Sequence, residues 1–296
     1  MKTFLNILLA TLTSGFHVVT IAQELSKPQV FWKIQGVGAA SGMIYKNDKL
    51  YIISDNSNLF YEYGINDGAL STNQVFKGKE LENVPKKKKA DLEAISEVEG
   101  TYYLFGSGSS SRRQSLIQFE QKNKKSKRVS LKKTYRKLKK RFDIKDDDFN
   151  IEGALFLKNE LWLFNRGNGP AAKNGIFILD KDHFQPKSYH PVPLGSLNDV
   201  QLGITDAILC DNKIYFIAAA EGVGSTYHDG EIQGTVFGEL NLDTKEVVFN
   251  KVISTKNKFE GLTLYKQSST QIDFLLCEDP DDGGNSSIIY QLRLKK

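Results

Sequence analysis

The chain has 296 residues, 40 Lys+Arg against 35 Asp+Glu, 40% hydrophobic residues and two Cys. It is too apolar and aromatic for a disordered chain, and two thiols can neither staple a fold nor build a zinc cluster. The net charge of +5 is small for this length and does not establish nucleic-acid binding.

Residues 1–22 read as a secretory signal. Lys2 supplies the positive start, Phe4 to Ala10 the apolar core, and Thr20 and Ala22 the small residues of a cleavage site. Thr11, Thr13, Ser14 and His17 break the run well short of the ~20 apolar residues of a membrane span. Residues 23–296 are therefore expected to be exported, to the periplasm or the extracellular space, as one domain without a membrane span. Cys210 and Cys277 lie in strand-like runs, where buried free thiols are the favoured reading.

Beyond the strand-like stretch Gln29 to Gln35 (QVFWKIQ), the strongest signal is internal repetition. Five segments begin near 39, 90, 150, 203 and 258: AASGMIYKNDKLYIIS, ADLEAISEVEGTYYLFG, NIEGALFLKNELWLFN, GITDAILCDNKIYFIA and KFEGLTLYKQSSTQIDFLL. Each holds a polar residue followed by a small one, a short apolar strand, a polar turn and a second apolar strand. The keyed polar residues are Ser41, Glu93, Glu152, Thr205 and Glu260, spaced 52, 59, 53 and 55 apart. Third strands are expected over Leu59–Tyr63, Ser115–Phe119, Gly175–Leu179, Thr235–Leu240 and Ile288–Leu292. Fourth strands are expected near Gln74–Gly78, Arg128–Leu131, Lys187–Val192 and Val247–Ile253. The fifth repeat lacks a fourth strand, which Gln29–Gln35 supplies.

Four-stranded units repeating about every 50 residues predict an all-β fold, a five-bladed β-propeller of four-stranded antiparallel blades closed by an N-terminal strand. A six-bladed ring is the alternative, with a degenerate blade inside 120–149. Within that stretch, Leu131, Tyr135, Leu138 and Phe142 have helical spacing and predict a basic helix over 131–142. Two readings of it stand: a solvated cap on a blade junction, or a basic rim beside an anion site.

In a propeller the first strand of each blade lines the channel, so the five keyed residues ring one mouth. Three carboxylates around one axis repel one another unless protonated or joined by a cation. Oxygen donors without His or Cys suit Ca²⁺ and disfavour zinc and copper. The predicted metal ligands are Ser41, Glu93, Glu152, Thr205 and Glu260. The competing reading is that these side chains merely satisfy backbone groups. Asp55, Ser107, Ser109, Arg112, Arg113, Arg166, Asn168 and Glu221 converge on the same face from the ends of the second strands.

The keyed series resembles the channel ring of the calcium-activated nucleotidases, the soluble apyrases of blood-feeding arthropods and vertebrates. Those are five-bladed propellers with a central Ca²⁺ held by a Ser/Glu/Glu/Ser/Glu series, and Thr205 would replace the second Ser. KLYIISDNSNLFYEY from Lys49 is similar to the family's Leu-Tyr-Ser-Val-Asp-Asp-Arg-Thr-Gly stretch, with Asp55 matching its second Asp. LKKTYRKLKKRFDI resembles a Tyr-x-x-Leu-Arg helix before a channel Glu, and Arg166 resembles an Arg at the end of the corresponding strand. The sequence departs from that pattern at Asn56, at Ile151 and in the loop GSGSSSRR. The Glu-Gly pairs at Glu152 and Glu260 also look like those of the phytase- and esterase-like propellers of bacteria.

The resemblance implies Ca²⁺-dependent hydrolysis of nucleotides or another phosphorylated small molecule. In that reading Arg112, Arg113 and Arg166 would neutralise phosphoryl oxygens, and Asp55 or Glu221 would orient or deprotonate water. The loop Gly106–Ser111, with Ser107, Ser109 and neighbouring Asn168, would cradle phosphate. The expected partner is a phosphorylated ligand bound by a monomer. The competing functional class is a non-catalytic propeller with a structural Ca²⁺ and a ligand- or protein-binding face.

Overall fold

Alternating apolar and polar residues, punctuated by Asn-Asp and Gly turns, fold each repeat into a twisted antiparallel sheet. The computed structural model describes residues 24–222, 230–280 and 283–296. The expected signal segment lies outside them.

Strand Gln29–Gln35 (β1) comes first. Blade one is Ala40–Lys46 (β2), Lys49–Ser54 (β3), Leu59–Gly64 (β4) and Leu70–Gln74 (β5). Blade two is Leu92–Val98 (β6), Thr101–Gly106 (β7), Ser115–Glu120 (β8) and Lys125–Ser130 (β9), followed by helix Lys132–Phe142 (α1). Blade three is Ile151–Leu157 (β10), Glu160–Asn165 (β11), Gly175–Asp180 (β12) and Pro186–Pro191 (β13). The short strand Ser196–Leu197 (β14) precedes blade four, which is Val200–Cys210 (β15), Lys213–Glu221 (β16), Ile232–Leu240 (β17) and Val247–Ser254 (β18). Blade five is Phe259–Gln267 (β19), Gln271–Glu278 (β20) and Ser286–Lys295 (β21).

Five sheets form, and in the last the strand order is β1-β21-β20-β19. The N-terminal strand thus completes the final blade, pairing Gln29 with Gln291 and Gln35 with Ser286. Closure removes the free edge that would otherwise face solvent between first and last blades. The six-bladed alternative is excluded, because residues 121–149 hold an outer strand and a helix rather than a blade.

The sequence reading misplaced one outer strand. Blade one's fourth strand is Leu70–Gln74 rather than 74–78, because a tight turn brings it back early: Gly64 donates to Ala69 O at 2.9 Å and Gly68 takes φ +68°. Blade four also departs from four strands. β14 pairs with the long inner strand β15, making a five-stranded sheet.

Five apolar clusters fill the five wedges between blades. Aromatic rings carry much of this packing. Tyr51 meets Tyr102 across blades one and two, with ring centroids 4.6 Å apart, and Tyr215 meets Phe274 across blades four and five at 5.2 Å. Such pairs add roughly 0.5–1.5 kcal/mol beyond the area they bury. Helix α1 closes the wedge between blades two and three. Tyr135 and Leu138 are buried there, and the Tyr135 hydroxyl donates to Gly106 O at 2.9 Å. Cys210 and Cys277 are buried, free thiols. Among the described residues no helix is long and apolar enough to cross a membrane.

Candidate metal centre at the channel mouth

Each inner strand carries a β-bulge at the same place. The register runs Ala40↔Ser54 then Gly42↔Ile53 in blade one, and Leu92↔Gly106 then Ala94↔Phe105 in blade two. Blade three skips from Ile151 to Gly153, blade four from Ile204 to Asp206, and blade five from Phe259 to Gly261. The residues left unpaired are Ser41, Glu93, Glu152, Thr205 and Glu260, the keyed series. A bulge adds one residue to one strand and re-aims its side chain, which is how sheets present functional groups at a rim.

The small residue after each keyed position answers to crowding at the axis. A Cβ on Gly261 would sit 2.5 Å from Cys277 Sγ and 3.1 Å from Gly42 Cα. Blade four breaks this rule with Asp206. Its carboxyl is buried, accepts the N–H of Leu262 in blade five at 2.8 Å, and is held well above the usual carboxylate range by burial.

The two hydroxyl residues and the three glutamates do different things. Ser41 Oγ donates to Leu92 O at 2.5 Å and Thr205 Oγ1 to Phe259 O at 2.7 Å, each tying its blade to the next. Neither lines the mouth cavity, so the mouth gathers three of the five expected ligands, Glu93, Glu152 and Glu260.

The cavity measures about 50 Å³, room for an ion with a few waters. Its lining is almost wholly charged. Among the described residues, seven carboxylates (Asp55, Asp91, Glu93, Glu152, Glu221, Glu260, Asp279) face five cations (Lys86, Lys89, Arg113, Arg166, Lys258), a formal excess of two negative charges. Asn150 and Asn168 complete the wall.

Most of these groups are paired. Lys89 bridges Asp55 and Asp91, lying 3.0 Å from the latter, and Arg113 reaches Asp91 at 2.9 Å. Arg166 spans Glu152 at 3.1 Å and Glu221 at 2.7 Å, and Lys258 lies 3.0 Å from Glu260. Glu93 is the exception. Among the described residues its carboxylate accepts no hydrogen bond and pairs with no cation. Burial, and then the charges of Asp91, Asp55, Glu260 and Glu152, hold its pKa well above the usual range. Burial also raises Glu260, against the pull of Lys258. Burial raises Asp55 as well, although Lys89 opposes it. Burial acts to raise Glu221 too, but Arg166 and Lys258 outweigh it and bring that carboxyl down to about 2.

Carboxylate oxygens of Asp55, Asp91 and Glu93 lie within 4.8 Å of one another. Oxygens sharing one Ca²⁺ at 2.3–2.6 Å can be no more than about 5 Å apart, so this cluster could hold a metal ion.

Of the predicted substrate residues, Arg113, Arg166 and Asn168 line the mouth, as do the predicted catalytic residues Asp55 and Glu221. Arg112 is exposed and stands outside it. In the loop after β7, three of the backbone N–H groups expected to cradle phosphate are engaged within the protein. The N–H groups of Ser107, Gly108 and Ser109 donate to Asp91 O, Arg113 O and Ser107 Oγ, and the Ser107 hydroxyl is spent on the Asp91 carboxylate. Ser109 Oγ accepts from Arg113 at 2.9 Å. These serines hold the acid–base pairs in place. Arg166 Nε, by contrast, is buried without an acceptor among the described residues.

Asp91, Asn150 and Lys258 were not anticipated, yet each stands two residues before a keyed glutamate. All three lie just ahead of their inner strands, so the polar opening of the repeat carried the missing signal. Lys89 had no such marker, because it belongs to the polar connection between blades.

Residues 36–294 match the model of a protein family described as "Family of unknown function (DUF6929)". No curated protein matches the chain in sequence. Among solved structures, the chain is similar to the glutaminyl cyclase of Myxococcus xanthus (TM-score 0.53, 9% identity, 90% of this chain and 97% of that one). It is also similar to the allergen Mala s 1 of Malassezia sympodialis (TM-score 0.57, 11% identity, 88% and 95%). Against a bifunctional GH43-CE protein of Bacteroides eggerthii (TM-score 0.56, 14% identity) it aligns over 90% of its own length but spans only 34% of that chain. At these identities the likeness is one of fold.

Proposed function

Since the chain belongs to this family of unknown function, we propose a role from the site itself: the mouth binds a divalent cation and hydrolyses a phosphorylated small molecule. The observation that carries this reading is Glu93, a carboxylate clustered with Asp55 and Asp91 that makes no ion pair or hydrogen bond among the described residues. Asp55, Asp91 and Glu93 would hold the ion, with Glu152 and Glu260 beside it. All-oxygen donors favour Ca²⁺. A bound divalent ion supplies polarisation of a phosphoryl oxygen and neutralisation of its charge.

The chain supplies the remainder. With a divalent ion offsetting the excess negative charge, Lys89, Lys258 and Arg166 would stand beside an anionic ligand, and Arg166 Nε has a hydrogen bond left to give to a ligand oxygen. Glu221 is poorly suited to act as a base, because a general base works best with a pKa near the operating pH and cationic neighbours depress that of Glu221. Asp55, as a ligand of the ion, would orient the attacking water rather than deprotonate it. Glu221 instead orients Arg166. The resemblance to the calcium-activated nucleotidases supports a nucleotide substrate. The departures at Asn56 and Ile151, and the self-bonded loop after β7, favour a different phosphorylated compound. The proposed setting is outside the cytoplasm, with the chain acting as a monomer.

One observation favours a second reading, a non-catalytic propeller with a structural ion. The guanidinium ends of Arg113 and Arg166 are already engaged by carboxylates rather than held open for a substrate. Phosphate release from nucleoside di- and triphosphates and inositol phosphates, in Ca²⁺ and then in chelator, separates the two. Chelator-sensitive turnover supports the hydrolase. Tight Ca²⁺ binding without turnover of any ester would transfer the case to the scaffold.

A further inference from the structure

Between residues 121 and 142 stand twelve Lys and Arg and no acidic residue. All twelve are exposed except half-buried Lys139. Seven of the eleven residues of α1 are basic. The apolar stripe of α1 is buried in the wedge between blades two and three, so its charged side is turned to solvent. The side chains of Lys125, Lys127, Lys132, Lys133, Arg136 and Lys140 make no ion pair or hydrogen bond among the described residues.

Lysines on β9 are explained by its place as an outer strand, where charge blocks edge-to-edge pairing. That explanation does not reach α1. Its sequence sets Lys132 against Arg136, Lys133 against Lys137, Arg136 against Lys140 and Lys137 against Arg141, four like-charged pairs one turn apart. Such pairs destabilise a helix, and two lysines with no acidic residue in the first turn oppose its dipole. A helix that only needed solubility would alternate Glu with Lys. Local choices that work against the fold mark places kept for another task.

We infer that the face formed by β9 and α1 docks on an anionic phospholipid bilayer surface. The chemistry favours a diffuse sheet of charge over a partner read group by group. Arg128 is stacked on Phe76 and bonded to Ser115 Oγ, and Arg141 donates to Pro186 O, so the free charges are mostly lysine ammoniums acting as points. No large hydrophobic residue is exposed on this face, which removes both stacking on nucleic-acid bases and insertion among acyl chains. Each such lysine near an anionic leaflet adds attraction that fades within a Debye length. This inference stands independently of the channel mouth.

The test is sedimentation of the protein with phosphatidylglycerol-containing vesicles, with neutral phosphatidylcholine vesicles as control, at low and high salt. Wild type is expected to bind the anionic vesicles at least about tenfold more tightly, and to lose that preference in high salt. The variant Lys132→Gln/Lys133→Gln/Arg136→Gln/Lys140→Gln is expected to lose the binding while melting no lower than wild type, since it removes like-charge repulsion. That stability readout separates lost docking from misfolding. Equal affinity for both vesicle types, or binding to heparin or duplex DNA without binding to anionic vesicles, overturns the inference. Full vesicle binding by a folded quadruple variant does the same.

Discussion

Lys89 and Asp91 stand two residues apart on one approach to the channel, and the Lys89 ammonium lies 3.0 Å from the Asp91 carboxylate while also bridging Asp55. Glu93, two residues further on, makes no ion pair among the described residues, although its charge also acts on Lys89. Lys89 therefore acts as a resident cation for two of the three carboxylates that could hold a metal. Replacing Lys89 by Met removes a competing charge at contact distance. Lys89→Met is expected to tighten divalent-cation binding by about tenfold or more, as read by calorimetric titration. Unchanged or weaker binding in a folded variant would show that Lys89 does not compete with the ion.

Glu93 gives the protein a pH dependence of definite sign. Its folded-state pKa lies above the unfolded value, so the folded state holds a proton that the unfolded state releases first. That contribution is fully present below the ordinary carboxylate pKa of about 4.3 and is lost as pH rises through the folded value. Glu221 has the opposite sign, with stability present above the ordinary range and lost as pH falls through about 2. In chelator, wild type is expected to lose melting temperature as pH rises from about 5 towards neutrality. Glu93→Gln should flatten that slope. Thermal scans across pH check this, and parallel slopes would remove Glu93 as its source.

Arg166 is buried between Glu152 and Glu221, and its removal leaves both carboxylates without their bridge. Breaking a buried pair in this way typically costs about 3–5 kcal/mol. Arg166→Met should lose stability on that scale in denaturant unfolding. A loss below about 1 kcal/mol would mean that the carboxylates find other partners or protons at little cost.

At Gly261 the expected change is steric. The added methyl of Gly261→Ala meets Cys277 Sγ within its own blade and approaches Gly42 Cα of the neighbouring blade one. Overpacking of this kind costs about 1–3 kcal/mol, and denaturant unfolding would register it. A neutral result would show that the inner strands can spread without loss.

The blades and the keyed residues were legible in the sequence because the repeat placed the same bulge in all five inner strands. The bulge itself was not legible, since it is a property of pairing. For the same reason the division of labour escaped notice: Ser41 and Thr205 tie blades together, while Glu93, Glu152 and Glu260 face the mouth. Lys89 reaches the site from a connecting segment whose composition, PKKKKA, reads as solvated charge. Arg112 and Arg113 are neighbours of like chemistry, and only the short 3₁₀ turn they share turns one inward and leaves the other in solvent. Sequence spacing places residues on elements, whereas loop geometry decides which of them enter a site.

Calcium titration of wild type beside Glu93→Gln bears most directly on the metal centre. One Ca²⁺ per chain is expected for wild type, with affinity reduced at least about tenfold in the variant. An absence of binding to wild type at millimolar Ca²⁺, or an isotherm unchanged by Glu93→Gln, would show that the excess charge at the mouth is met by protons rather than by a metal.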